Sequence, residues 1–486
     1  MTTTQTDVIP MIIGGQPRGA SDGASIEAVN PATGEHIGRI PAATAADVND
    51  AVAAAGQAFP QWRRTEPQQR AAALGALADL IDQHAEELAL LDVADNGSPI
   101  REMRNDAGIA SAQLRYFAGL VLQVRGETIP SSFGRLNYTL RQPFGVVGRI
   151  VPFNHPLMFA ASKMAAPLAA GNTVIVKPSE HTSLSALRLG ELADQVFPAG
   201  VVNIVTGYGQ STGDALVAHP DVRRLAFIGS ADTGRAILAR GAGVNVKTIT
   251  LELGGKNPLV IFPDADLDKA VSAAIRGMNF TWQGQSCGST SRLLVHASVY
   301  DDFVARLAAQ VDELKSGAPD DPATETGAIV NANQLEKVKR YIKIGVDGGA
   351  RLIVGGNQLT DGAFGAGNFM RPAVFAGVDP MSQLAQVEIF GPVLATMPFA
   401  DYDDALRIAN GVRYGLTASV FTRDLAVAHR FARDVEAGYV WVNEVARHTP
   451  GTPFGGVKDS GLGREEDVEE LMSYTQVKNV HVNFDD

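Results

Sequence analysis

From residue 146 to residue 262 the chain repeats one pattern, a continuously apolar strand followed by a helix, and this repetition constrains its fold most. Strands are expected at 146–151, 173–176, 201–205, 224–228, 247–253 and 258–262, with helices at 156–170, 183–196, 213–219 and 233–240 between them. Strands that stay apolar without alternating are buried on both faces, and the helices supply the crossovers that parallel strands need. An α/β fold around a parallel sheet follows. A second series begins after Asp266: helix 267–280, strand 293–296, helices 300–314 and 333–347, strands 393–398 and 419–422, and helix 425–435. Ahead of the repeats lie a polar lead at 1–10, strands within 26–40, and a helix that Thr44 caps with Asp47 in its first turn. One Ala/Leu-rich helix is expected over 71–94, stopped by Gly97, and another over 101–122. Residues 138–142 form a strand, and 474–484 alternates as a lone strand, of the kind that pairs across a subunit boundary.

A chain of 486 residues predicts two or three domains. Its formal charge of −12 and the absence of any Lys/Arg-rich run exclude a nucleic-acid partner or an anionic membrane surface. No basic residue precedes the short apolar piece within residues 1–15, so no secretory signal is read there. The longest apolar stretch, 146–170, is broken by Arg149, His155 and Lys163, which makes it buried strand and helix and not a membrane span. A cytoplasmic protein is expected.

Cys287 is the sole cysteine, which excludes an intrachain disulfide and a multi-cysteine metal site and leaves an inert thiol or a nucleophile. Its glycine-rich neighbourhood, Gly284-Gln285-Ser286-Cys287-Gly288, leaves the sulfur accessible. Asn154, in Pro152-Phe153-Asn154-His155-Pro156, ends a strand and opens a helix, where ligands gather in α/β sheets and where an amide can donate to an oxyanion. Lys177 and Glu180, in Lys177-Pro178-Ser179-Glu180, occupy the next strand end, suited to phosphate and ribose. Gly207-Tyr208-Gly209, with its next glycine at Gly213, has the wrong spacing for a dinucleotide fingerprint. Phe227-Ile228-Gly229-Ser230 is a strand end that opens a helix, whose free amides can hold a pyrophosphate. Glu252, in Leu251-Glu252-Leu253-Gly254-Gly255-Lys256-Asn257-Pro258, has apolar neighbours that raise a carboxyl toward the range of a general base.

These segments, with Glu388-Ile389-Phe390-Gly391-Pro392 and Thr452-Pro453-Phe454-Gly455-Gly456, resemble in order those of the aldehyde dehydrogenase superfamily over nearly the whole chain. The resemblance implies a Rossmann-type parallel-sheet cofactor domain at 1–122 and 144–255, an α/β catalytic domain at 256–455, and small oligomerisation strands at 123–143 and 470–486. It implies NAD, with NADP as a second acceptor, held by Ile150, Val151, Pro152, Phe153, Lys177, Ser179, Glu180, Gly209, Gly213, Phe227, Gly229, Ser230, Leu253, Gly254, Glu388 and Phe390. It implies four catalytic residues, Cys287, Glu252, Asn154 and Lys177. A small-molecule aldehyde, medium-sized or aromatic, would run along His155, Met158, Phe159, Ser162, Thr281, Ser286, Arg447, His448 and Phe454. Ser162 stands where many members have a bulky aromatic, which widens this tunnel. The implied cycle passes from a Cys287 thiohemiacetal to a thioester that Glu252-activated water hydrolyses, with no metal, in a homodimer or homotetramer. The alternatives are a CoA-acylating dehydrogenase, a cofactor-free cysteine esterase, and a non-catalytic protein on the same fold.

Overall fold

Five strands of β-branched and leucine-rich sequence, Val146–Ile150, Thr173–Lys177, Val202–Ile204, Val222–Gly229 and Thr248–Leu253, pair in parallel in the computed structural model, which describes residues 8–484. Val146–Ile150 lies centrally: the chain leaves it for Thr173–Lys177 and Val202–Ile204 on one side, then returns to Val222–Gly229 and Thr248–Leu253 on the other. That reversal opens a crevice beyond the carboxyl ends of the central strands, where ligands bind in such sheets. Ile150 stands opposite Lys177 and Phe227, and Ile228 opposite Glu252, so the candidate residues come to one sheet edge. Met11–Ile13 and Gln16–Arg18 extend one side antiparallel, and Gly461–Leu462 closes the other against Leu251 and Glu252.

The helix Pro156–Ala169 opens on a proline, whose missing N–H costs nothing in a first turn, and is buried on nearly every face. It packs between the sheet and a helical layer. In that layer the helix Ala45–Trp62 begins with the expected box: Thr44 accepts from the Asp47 amide while Asp47 accepts the Thr44 N–H at 2.8 Å. Such a box is worth about 1 kcal/mol. The single helix expected over 71–94 is two, Pro67–Gln83 and Ala85–Asn96. His84 leaves helical geometry between them (φ −108°, ψ 15°), and its Nδ1 meets Glu87 Oε2 at 2.7 Å. Glu86 and Glu87 then favour the positive start of the second helix. Gly97 ends that helix with φ 83°, as its position predicts.

The second sheet orders Arg351–Val354, Ala373–Ala376, Val393–Phe399, Arg292–His296, Pro258–Ile261, Thr417–Phe421 and Tyr439–Val442, all parallel except the first. Alternate residues feed separate cores on its two faces: Val260 and Leu294 on one, Leu259, Ile261, Leu293 and Val295 on the other. The helix expected over 267–280 stops at Gly277, because Asn279 turns left-handed (φ 54°) to start the loop that carries Cys287.

The terminal strand is not alone. Thr475–Asn483 pairs antiparallel with Arg135–Pro143 of the same chain, from Thr475 opposite Pro143 to Asn483 opposite Arg135, with Thr128–Ile129 on the far side. Its partner is distant in sequence, which no local pattern reveals. Most of the polar lead, residues 1–7, and the last two residues lie outside the described residues. Among the described residues no helix is long and apolar enough to cross a membrane.

Candidate active site

The segment Gly254–Asn257 leaves the first sheet and enters the second, and both sides of the site are tied to it. Its Gly254 carbonyl accepts from Ser460 Oγ at 2.7 Å, and the Gly255 amide donates to Glu388 Oε1 at 2.9 Å. Asn257 Nδ2 donates to the carbonyls of Cys287 (2.7 Å) and Ser289 (3.0 Å), while its Oδ1 accepts the Thr417 amide. Asn257 thus clamps the loop of the sole thiol. Nothing local in Lys256-Asn257-Pro258 signals that role.

The loop itself is conformationally strained, with Asn279 and Gln283 both left-handed. Gly284 follows at φ 67°, and a Cβ there would stand 2.2 Å from the Gly391 carbonyl, so only glycine lets this loop pack on the Glu388–Pro392 segment. Buried Gln283 and Gln285 hold it from beneath, through Ser98 Oγ and the Val330 amide. Cys287 is partly exposed at the top. Enclosure, with the charges of Glu388 and Glu252 nearby, pushes its thiol up to about 12. A thiol so placed must lose its proton before it can attack.

Glu252 is 6% exposed, and neither carboxyl oxygen has a hydrogen-bond partner within the described chain. Burial first, then the charge of Glu465, hold its carboxyl well above the usual range. An unpartnered buried carboxylate is costly, and it points to a group kept for a reactant. Asn154 is likewise buried, its Oδ1 without a partner. Its neighbours fix its place: the Phe153 ring meets Phe390 at 5.5 Å, and His155 meets Trp282 of the thiol loop at 5.3 Å. Asn96 Nδ2 holds the Phe153 carbonyl at 2.5 Å.

Beside Glu252 lies a buried ion cluster that sequence reasoning did not assign. Arg149 Nη1 donates to Glu465 Oε1 (2.9 Å) and to the Tyr474 hydroxyl (2.6 Å). Lys163 Nζ reaches Glu465 Oε2 at 3.0 Å and Glu466 Oε1 at 3.4 Å. Burial alone would favour the neutral form of every member. The mutual charges outweigh it, raising Lys163 and Arg149 and lowering Glu465. The signal was available: Arg149 and Lys163 are lone charges in an apolar run, and a buried charge demands a partner.

On the other side, Lys177 is buried at its strand end, its Nζ donating to the Pro178 carbonyl (3.0 Å) and reaching Glu180 Oε2 at 3.3 Å. Burial lowers its pKa against the pull of Glu180. Ser179 Oγ accepts the His181 amide. Ser230 caps the helix Ala231–Ala242 by accepting from the Thr233 amide. A Cβ at Gly229 would strike the Phe227 ring, and one at Gly254 would lie 1.9 Å from Glu388 Oε2, so only glycine lets Phe227 and Glu388 pack against this edge. Phe390 holds φ 60° above this space. Ile150, Val151, Pro152 and Leu253 complete the edge. A buried cation, an open helix start and two carboxylates fit a dinucleotide. Gly209–Gly213 forms a π-helical turn whose Thr212 bonds the Ala43 carbonyl.

Toward the surface, His155 Nδ1 meets Asp106, Thr281 bonds Glu102, and Phe159 and Ser162 are buried on the helix after Asn154. Met158, partly buried, packs on the first core. Ser286 lines a small cavity with Gly255, Glu388 and Phe390. His448 lies among Tyr439, Trp441 and Phe454 and bonds Glu466. The Arg447 carbonyl accepts from Trp441 Nε1, while Arg447 itself is exposed and outside this cluster. Among the described residues no group of His, Cys, Asp and Glu is arranged to hold a metal.

The Aldehyde dehydrogenase family matches residues 19–480. Aldehyde dehydrogenase tropH of Talaromyces stipitatus is 46% identical over 465 residues, covering 94% of this chain and 90% of the relative. Aldehyde dehydrogenase (NAD(P)+) 2 of Saccharomyces cerevisiae is 42% identical, over 96% of this chain and 93% of that one. The crystal structure of PnpE in complex with nicotinamide adenine dinucleotide superposes with a TM-score of 0.96 at 43% identity, covering 98% of each chain. Fold, family match and relatives agree, and the chain belongs to the aldehyde dehydrogenase family.

Proposed function

We propose that the chain oxidises a medium-sized or aromatic aldehyde to its carboxylic acid, with Cys287 as nucleophile and Glu252 as the base that activates water. As a family member it is an NAD(P)-dependent oxidoreductase acting on aldehydes. The observation that carries the residue roles is the pair of buried, unpartnered Glu252 oxygens beside the loop of the sole thiol. An aldehyde panel run with NAD and with NADP, following reduced cofactor and identifying the product, tests the reading. Absence of turnover on every aldehyde sinks it, and acyl-CoA formed on adding CoA would replace water as the acceptor.

In this reading Cys287 gives up its proton to solvent, and the resulting thiolate adds to the carbonyl carbon. The oxyanion accepts from the Asn154 amide and the Cys287 N–H. Lys177, Glu180, Ser230 and Glu388 would hold NAD, which would accept the substrate's hydride. Glu180 at this strand end would accept from a ribose hydroxyl and repel a 2′-phosphate, which favours NAD over NADP. Once the carbon on sulfur is at the thioester level, Glu252 takes a proton from water, whose oxygen attacks that carbon. The C–S bond breaks, the thiolate leaves, and the acid departs. Lys163 and Glu465 keep the charge around Glu252 balanced while it takes the proton from water.

The cofactor falls to segments 1–122 and 144–255, chemistry to 256–455, and association as homodimer or homotetramer to 123–143 and 470–486. Leu140, Val477 and Phe484 are exposed on that last element, which supports its role in association.

Two expected results arise here. Asn154→Ala lowers kcat by about a hundred- to a thousand-fold, the loss seen when one oxyanion donor is removed, with little change in NAD affinity. Unaltered kcat would remove Asn154 from the scheme. The second concerns pH. Cys287 and Glu252 both act deprotonated and both are pushed up, so the active forms accumulate as pH rises and vanish as it falls. kcat/KM is therefore expected to climb from about pH 6 to about pH 10. A flat or falling profile contradicts it.

A further inference from the structure

Phe159 and Lys163 lie one turn apart on the helix Pro156–Ala169, and each end of that strip meets a histidine held by a carboxylate. At one end the His155 ring stands edge-on to Phe159, centroids 5.4 Å apart. Its Nδ1 lies 2.8 Å from Oδ2 of Asp106, whose side chain is 1% exposed against 13% for the histidine. At the other end Lys163 reaches Glu466, and Glu466 Oε2 meets His448 Nδ1 at 3.2 Å. A carboxylate only accepts, so Nδ1 carries the proton in each pair, and in the Nδ1–H tautomer the ring presents Nε2 as an acceptor. Among the described residues, neither Nε2 has a hydrogen-bond partner.

Aromatic rings surround both histidines: Phe159 and Trp282 at His155, Phe454 at His448. A tail lying there meets flat apolar walls and two fixed acceptors. Carboxylates stand behind those acceptors, with Glu102 on the Asp106 side. An anionic tail is opposed there, whereas a neutral hydroxyl can donate.

Resting on the aldehyde-oxidising reading above, the structure assigns His155 and His448 as specificity-determining residues whose Nε2 atoms select aldehydes with a hydroxyl on an aromatic tail. Asp106 and Glu466 are positioning residues that fix the tautomer. Neither acceptor would exist if these positions held apolar side chains.

The test compares 3-hydroxybenzaldehyde, 3-methoxybenzaldehyde and benzaldehyde, following NADH. The methoxy group keeps the oxygen but cannot donate. In the wild-type enzyme kcat/KM for the hydroxylated aldehyde is expected to exceed both others by about tenfold, mostly through KM, as one hydrogen bond to the largely buried His155 ring supports. His155→Phe should bring that ratio down toward one, His155→Gln, which retains an acceptor, should keep part of it, and Asp106→Asn should raise KM for the hydroxylated substrate selectively. A wild-type ratio of one or less overturns the assignment without any variant, and so does an unchanged ratio in both His155→Phe and His448→Phe. NADH formation without hydroxyl preference defeats this inference alone. No NADH from any aldehyde defeats the reading beneath it.

Discussion

Cys287→Ala is expected to abolish NADH formation from every aldehyde, a loss of at least about ten-thousand-fold, while NAD still binds. The reasoning is chemical before it is structural. No other cysteine exists to take over, and alanine offers no lone pair to the carbonyl carbon. Geometry adds the second half: the loop is held by Asn257 through the Cys287 and Ser289 carbonyls, and by Gln283 and Gln285 from below. None of those contacts uses the thiol, so the loop should keep its shape. Titration of NAD against the variant, beside an NADH assay with the best aldehyde of the panel, reads both halves. Substantial remaining turnover would remove Cys287 from the reaction. Lost NAD affinity would mean that the thiol supports the cofactor side as well.

Glu252→Gln is expected to retain a rapid burst of NADH, near one per active site, and to lose steady-state rate by about a hundred- to ten-thousand-fold. Glutamine matches glutamate in shape but takes no proton, so thioester formation outlasts thioester hydrolysis. Stopped-flow absorbance separates the two, and equal loss of burst and steady state would give Glu252 a different role. Stability supplies an independent check. A carboxyl whose folded pKa is raised costs the native state stability at every pH above its unfolded value. Glu252, raised by burial from a reference of 4.5, therefore burdens the fold from that pH upward. Glu252→Gln removes the burden, so its Tm at pH 8 should equal or exceed that of the wild type. A sharp drop would reveal a structural part for the carboxylate.

The buried charges explain why these roles are separable. Glu252 is left without a hydrogen bond or ion pair, while Glu465, a few residues from the Gly-rich late loop, is ion-paired to both Arg149 and Lys163. Two glutamates in one buried region thus have opposite tendencies, one held neutral and one held charged. Such divergence is what acid–base work requires.

Much was legible in the chain itself. The apolar strands, the Thr44–Asp47 box, the Gly97 stop and the ordered segments around Asn154, Lys177, Glu252, Cys287 and Glu388 are local patterns, because periodicity, capping and glycine turns act within a few residues. They determined an α/β fold, the succession of its strands and helices, and the family. What they could not reach depends on surfaces meeting across the chain. His84 split a helix that reads as continuous, through a bond to Glu87 and an acidic first turn beyond it. Thr475–Asn483 found its partner at Arg135–Pro143, and Asn257 took hold of the thiol loop. The pairing of His155 with Asp106, and of Lys163 with Glu465, likewise exists only after folding. A buried charge or an unpartnered backbone edge announces that it needs a partner. Only the tertiary structure, where burial makes the wrong partner costly, decides which one it is.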